Sequence, residues 1–462
     1  MKVARIGLLA LSLALGGCDL VLGLDNYHAG DAGPDAGGTD AGVRDAAGMD
    51  AAGTDAGAAT DAGTTDDAGR PIDPLAPSPI VAGFEHVCAR DPMNEDRTLC
   101  WGARSNFRLG DDDMGPSETC LPMAGGTACL SGPTHPVVDA STNPLGRVRR
   151  MVATRSSTCA ILEEDGAAYC WGQHEAYGTD FGPHATPLQI DTSVGGTRPL
   201  ENVVSIALTE LHGCVIEDRD GMVSIYCWGE NSAGELGDGT STTRPHPSES
   251  AGVDTSLIGT PVDVVVGGGF SCALNMDGEV YCWGQNWALG DGTGSARMTP
   301  TGPVMLSAPA LAIGASRDSA CALVDTHDVF CWGLGTDGVL GNGAAVPSPI
   351  PTQVTGLSGV STLASGHHNH CAIAGGGVYC WGWGMYQVPL TTTPALAPRR
   401  IALPVGAVPY AVTVNATVAC ARTTNAGLVT DYCWGSNDYG QLGGGSPLEP
   451  GPGPVAVAWE PP

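Results

Sequence analysis

The sequence predicts an all-β repeat protein built from four-stranded propeller blades. Three observations predict it. Glycine and proline are abundant, at 68 and 34 of 462 residues, while aromatic residues make up only 5%; that balance favours tight turns over helices. The tripeptide Cys-Trp-Gly recurs seven times, beginning at Cys100, Cys170, Cys227, Cys282, Cys331, Cys380 and Cys433, at intervals of 49 to 70 residues. Each copy follows a second cysteine (Cys88, Cys159, Cys214, Cys272, Cys321, Cys371 and Cys420), and the segment between the two reads as a β-hairpin. Self-similarity at such a period marks a repeat architecture.

The N-terminus reads as an address. Lys2 and Arg5 precede an apolar run from Ile6 to Leu15, too short to span a bilayer. The run ends in Leu15-Gly16-Gly17-Cys18, which resembles the lipobox of bacterial lipoproteins. By that resemblance residues 1–17 are a signal peptide and Cys18 carries the lipid. Several acyl chains on one residue hold a protein stably on a membrane without a spanning helix. The expected location is the cell envelope, on the outer membrane or the surface. Asp19 leaves inner-membrane retention open. Residues 18–73 read as a disordered linker: Asp35, Asp40, Asp45, Asp50 and Asp55 recur among Ala and Gly, with no aromatic between Tyr27 and Phe84. Such a segment buries too little apolar surface to offset its chain entropy.

Residues 74–462 hold the seven repeats. In the fourth, Ala273 to Tyr281 forms two short strands around Met276-Asp277-Gly278, and Asp-Gly suits the end of a hairpin loop. That loop sets Cys272 opposite Cys282. Gly375-Gly376 does the same for Cys371 and Cys380, and Asp220-Gly221 for Cys214 and Cys227. Directly opposed residues on antiparallel strands lie within disulfide reach. Seven within-hairpin disulfides are therefore expected, with an eighth joining Cys120 and Cys129, which makes Cys18 the only unpaired cysteine. Zinc is the rival ligand, but it wants four ligands at short spacing. Strand alternation puts Tyr281 and Trp283 on one face, against a neighbouring blade, and Cys282 on the other. An outer strand at Gly302–Leu306 and an inner one at Ala310–Gly314 complete the unit.

The loop after Trp-Gly carries a family resemblance. Trp228-Gly229-Glu230-Asn231-Ser232-Ala233-Gly234-Glu235-Leu236-Gly237-Asp238-Gly239 resembles the repeat of the regulator of chromosome condensation family, as does Trp434 to Gly443. The resemblance spans about residues 79–459 and implies a seven-bladed β-propeller. The second repeat departs from it, with Ala176-Tyr177-Gly178, and so does the sixth, with Trp381-Gly382-Trp383-Gly384-Met385; the first carries an insertion. The family's founding activity, nucleotide exchange on a nuclear small GTPase, sits poorly with an exported, cystine-rich chain. Ring closure is expected from pairing of Ile80–Ala82 with the terminal apolar strand, Pro454–Trp459.

Candidate sites are few. No Ser-His-Asp arrangement, phosphate loop or dinucleotide fingerprint is present, so no catalytic residue and no cofactor are expected. The net charge of −29 argues against binding a nucleic-acid backbone. His368 and His370, beside His367, would share a strand face and form a candidate metal pair, although a polar strand end is the plainer reading. Asp111-Asp112-Asp113 reads as an acidic loop. His86 and His212, each two residues before a cysteine, read as structural and bonded within the blade. Trp287, Trp383, Tyr386, Tyr177 and Tyr439 all follow a Trp-Gly and form a candidate binding rim. The leading expectation is a monomeric, membrane-anchored binding scaffold for an envelope or extracellular protein, or a glycan. A secreted inhibitor resembling the propeller-shaped beta-lactamase inhibitory protein is the first alternative. An enzyme with its chemistry in the propeller channel is the second.

Overall fold

The computed structural model describes residues 78–103, 108–110, 122–123, 126–127, 130–138, 143–173, 184–192, 198–248, 252–383, 393–444 and 453–459. The chain divides into two compact units, 1–59 and 60–462, and every described residue belongs to the second. Cys18, the linker, Asp111–Asp113 and the Cys120–Cys129 pair lie outside the described residues.

The second unit is a seven-bladed β-propeller, and its blades follow chain order. Blade 1 holds Ile80–Ala82, His86–Asp91, Asn94–Gly102 and Leu130–Pro136; blade 2 holds Val148–Ala153, Ser157–Leu162, Ala168–Gly172 and His184–Gln189. Blade 3 holds Val203–Leu208, His212–Arg219 and Met222–Gly229; blade 4 holds Pro261–Val266, Phe270–Asn275, Val280–Gly284 and Arg297–Thr301. Blade 5 holds Ala310–Ala315, Ser319–Val324, Val329–Gly333 and Ser348–Gln353; blade 6 holds Val360–Ser365, Asn369–Ala374, Gly377–Gly382 and Ala395–Ile401. Blade 7 holds Val408–Val414, Val418–Asn425, Leu428–Gly435 and Val455–Ala456. Each sheet is antiparallel, and its first strand is innermost. Blade 3 has three strands among the described residues. Its fourth is reduced to a bridge between Gly229 and Arg244, at the position where Gly284 of blade 4 pairs with Arg297.

The middle hairpins carry the disulfides. Cys88–Cys100, Cys159–Cys170, Cys214–Cys227, Cys272–Cys282, Cys321–Cys331, Cys371–Cys380 and Cys420–Cys433 are bonded, with Cα atoms 4.0 to 4.1 Å apart. Each pair is in direct register across its hairpin.

The core lies between blades rather than within them. All seven Cys-Trp-Gly tryptophans are at most 1% exposed. Each shares an apolar cluster with the disulfide of the preceding blade: Trp283 with Cys214–Cys227, Trp332 with Cys272–Cys282, and so on around the ring. The Leu-Gly of the post-Trp loop completes that socket. Leu109, Leu236, Leu289, Leu340 and Leu442 are buried. The carbonyl before each leucine accepts the indole N–H of the next blade: Trp171 to Arg108, Trp283 to Glu235, Trp332 to Ala288, Trp381 to Val339 and Trp101 to Gln441, at 2.8 to 3.0 Å. The loops before Trp228 and Trp434, at 174–183 and 384–392, lie outside the described residues. They belong to the two repeats whose sequences depart from the pattern.

Two expectations are corrected. The outer strand of blade 4 lies at Arg297–Thr301, not Gly302–Leu306. Gly302 turns to φ 152° and Pro303 has no N–H, so the regular strand ends there, although the Val304 N–H still returns to the Val280 carbonyl at 2.8 Å. Ring closure also differs. Ile80–Ala82 pairs with Val87–Ala89 in its own blade, and Val455–Ala456 pairs with Tyr432 and Cys433 in blade 7. The two end strands do not pair with each other, because each blade is completed by its own segment. Blade 7 meets blade 1 through the packing used elsewhere: Trp101 shares a cluster with Cys420–Cys433, Leu442 and Val457, and Trp459 stacks edge-on at 5.9 Å. Asn415 Nδ2 donates to the Ala82 carbonyl at 2.9 Å, and Arg422 to the Arg90 carbonyl at 2.6 Å.

Candidate functional site at the turn face

Strand direction gives the propeller two unlike faces. On one lie the hairpin tips that link the cystine strands. On the other lie the tight turns from the first to the second strand of each blade, together with the loops that follow Trp-Gly. The seven turns share one geometry. The first residue of each donates its N–H to the carbonyl three residues on, from Gly83 to His86, Thr154 to Ser157, Thr209 to His212, Gly267 to Phe270, Ser316 to Ser319, Gly366 to Asn369 and Asn415 to Val418, at 2.7 to 3.0 Å. The residue after each Trp-Gly then donates back to the turn, as Trp383 does to the His368 carbonyl and Gln285 to the Gly269 carbonyl. Turns and post-Trp loops are thereby tied into one surface.

The second residue of each turn stands four positions before the first cysteine of its repeat. The ring so formed reads Phe84, Arg155, Glu210, Gly268, Arg317, His367 and Ala416. The first six line a cavity of about 750 Å³ at the channel mouth. Phe84 is its aromatic wall: the His367 ring meets it edge-on at 5.1 Å, and the Arg155 guanidinium lies 5.9 Å from its centroid. Arg317 is held by its backbone, which accepts from Gly268 at 2.6 Å and donates to the His367 carbonyl at 2.8 Å. A Cβ on Gly268 would meet Arg317 Cγ at 2.8 Å, so glycine leaves room for the arginine stem. Burial, then the nearby His368, Arg317 and Arg155, push the His367 imidazole down to about 4.

Trp287 and Trp383 are 40% and 44% exposed on the turn face. Tyr439 is half-buried on the same face, and Tyr177 and Tyr386 lie outside the described residues. The histidine cluster does not converge. His367 faces the cavity, and His368 Nδ1 lies 3.5 Å from Asp337. His370 points between blades, hydrogen-bonded to Ser365 at 2.8 Å and Ser319 at 3.2 Å. Among the described residues no three His, Cys, Asp or Glu are placed to hold a metal. His86 and His212 bond between blades, not within one. His86 Nε2 pairs with Thr158 at 2.7 Å. His212 Nε2 donates to Ser271 Oγ at 2.9 Å, since the Ser271 hydroxyl hydrogen goes to the Glu235 carbonyl. Burial lowers His86 to about 3, His212 to about 4 and His370 to about 3.

Phe84, Arg155 and Arg317 were not among the sequence candidates. The available signal was positional: once the cysteines set the repeat phase, the position four before each first cysteine names the ring.

Comparison with known proteins agrees with this architecture. Residues 326–373 and 262–286 match two models of the regulator of chromosome condensation repeat. These segments run from the blade 5 hairpin into blade 6 and across the first three strands of blade 4. Among curated proteins, the human E3 ubiquitin-protein ligase HERC2 is 30% identical over 165 residues, 33% of this chain and 3% of its own length. The human probable E3 ubiquitin-protein ligase HERC4 is 31% identical over 85 residues, 18% of this chain and 8% of its length. The chain thus spans only a small part of the curated relatives it matches. Among solved structures, Prp20p of Saccharomyces cerevisiae, described with its binding to Gsp1p and histones, aligns with a TM-score of 0.59 at 19% identity over 75% of this chain and 82% of its own. Human WBSCR16 aligns with a TM-score of 0.63 at 19% identity over 79% and 95%. The chain carries repeats of this type on a seven-bladed propeller, and at these identities the structural likeness speaks to fold alone.

Proposed function

We propose that the protein is an exported lipoprotein, anchored in the cell envelope through Cys18, whose propeller presents its turn face as a binding scaffold. The observation that carries this reading is the set of seven buried disulfides, one per blade. A chain stapled in every repeat belongs where thiols are oxidised, and Leu15 to Cys18 supplies both the export and the anchoring signal. The binding role is supported by the exposed Trp287 and Trp383 around an open mouth, since aromatic anchors dominate protein recognition. The partner is an envelope or extracellular protein, and the chain itself performs no catalysis.

The test has two arms. In the source organism the chain should take up an alkyne fatty acid and fractionate with membranes, and Cys18→Ser should abolish both. Capture from envelope and culture fluid should retain one stoichiometric protein, lost in the Trp287→Ala, Trp383→Ala double variant. Lys2 is the only lysine, so photo-crosslinking must replace amine reagents. An unlabelled, soluble chain with free thiols would overturn the reading.

A further inference from the structure

The channel mouth concentrates cationic and aromatic groups in a strongly acidic chain. Among the described residues, most other arginines meet carboxylates. Arg198 grips Glu217 at 2.8 and 3.1 Å, Arg422 grips Asp431 at 2.8 Å, Arg150 meets Asp263 at 2.9 Å, and Arg244 meets Asp238 at 2.6 Å. Arg155 and Arg317 differ. Both are exposed at the cavity. Arg155 lies near Phe84, and the nearest carboxylate to Arg317 is the neighbouring Asp318 at a loose 3.9 Å. They come from blades 2 and 5, three blades apart in the ring. Among the described residues, Glu210 is the one acidic side chain on the cavity wall, and it accepts the Arg155 backbone N–H at 3.2 Å. A volume near 750 Å³ is that of a small-molecule site.

We propose that this mouth binds a small molecule bearing an oxyanion group, carboxylate or phosphate, held between the Arg155 and Arg317 guanidiniums with its body against Phe84 and His367. Guanidinium presents paired N–H donors matched to both oxyanions, and the phenyl face offers a flat apolar platform. The assignment rests on reading the turn face as the binding face. Its failure is separable, because protein capture through Trp287 and Trp383 does not require either arginine.

The experiment is calorimetric titration of the full chain with benzoate, phenyl phosphate, inorganic phosphate and, as the uncharged counterpart of benzoate, benzamide. Saturable binding of benzoate or phenyl phosphate with none of benzamide is expected; the stronger of the two names the oxyanion. Arg155→Gln and Arg317→Gln should each weaken it at least about tenfold, the scale of one charge-assisted hydrogen bond. Arg297→Gln, on the outer strand of blade 4, should leave it unchanged. An unaltered melting temperature and seven intact disulfides would show that each variant is folded. No binding up to about 10 mM of any anion, or equal binding by the two arginine variants and the parent, would overturn the proposal.

Discussion

At the residue scale, the recurring Leu-Gly is explained by what lies against it. Gly110, Gly237, Gly290, Gly341 and Gly443 take φ of 63 to 71°. A Cβ on any of them would come within 2.6 to 2.9 Å of the next blade's indole ring. The glycine is required twice, by its left-handed backbone and by contact with the tryptophan. Gly294 has φ 60° but nothing within 4 Å of its virtual Cβ. Gly294→Ala should therefore cost only the backbone penalty, about 1 kcal/mol. Gly290→Ala should cost a further 1–3 kcal/mol from overpacking. Equal melting temperatures for the two variants would refute the socket. The buried histidines set the acid limit. His86, His212 and His370 are neutral when folded, with values near 3 to 4 against 6.5 when unfolded. The unfolded chain therefore binds more protons in this window. Stability is full well above pH 6.5 and falls as pH drops towards 4, with a slope on the order of 1 kcal/mol per pH unit for each histidine. Denaturant melts at pH 7, 6 and 5 should show that slope, and His212→Gln should reduce it.

At the element scale, the cystine hairpin was legible because its loop chemistry and cysteine spacing both fix register. Each bond closes a loop of 9 to 13 residues, which corresponds to about 2–3 kcal/mol in the chain-entropy account. Replacing Cys272 and Cys282 together with alanine should lower stability by about that amount, plus any cavity beside Trp332. A double variant that melts with the parent would remove the stapling argument. The outer strands were harder to place. They are short, proline-interrupted and shifted in register beside the Trp-Gly, as at Cys282 and Gly284, so the apolar pattern around Val304 pointed five residues too far along. The histidine cluster failed as a site for a related reason. The chain bends at His367 and His368 before the strand opens at Asn369, so strict alternation does not apply across it.

At the scale of the whole molecule, the ring is a cycle of seven equivalent sockets, each formed by one blade's cystine and the next blade's tryptophan. Histidine–hydroxyl bridges reinforce three of the seams, His86 to Thr158, His212 to Ser271 and Ser319 to His370. The seam between blades 7 and 1 uses the same socket, with Val457 and Trp459 added around Trp101. Deleting residues 453–462 should uncover Trp101, lower the melting temperature and raise binding of a hydrophobic dye. Unchanged melting would show that the seam holds without its outer strand. Among the exposed apolar side chains, Met93, Met222, Met276 and Leu428 stand on hairpin tips, and Trp287 and Trp383 stand on the turn face. The acidic chain thus brings its cation-lined cavity and its exposed tryptophans to one side.

Sequence by itself determined the repeat number, the cystine hairpins, the tryptophans facing a neighbouring blade and the loop in which Trp287 and Trp383 sit, because these follow from local turn chemistry and strand alternation within about 50 residues. Only the tertiary structure decided how the ring closes, that His86 and His212 bridge neighbouring blades, and that Phe84, Arg155, Arg317 and His367 meet at one mouth. Phe84 and His367 are separated by 283 positions yet stack at 5.1 Å. Such contacts depend on the closure of seven blades, and no local pattern carries that information.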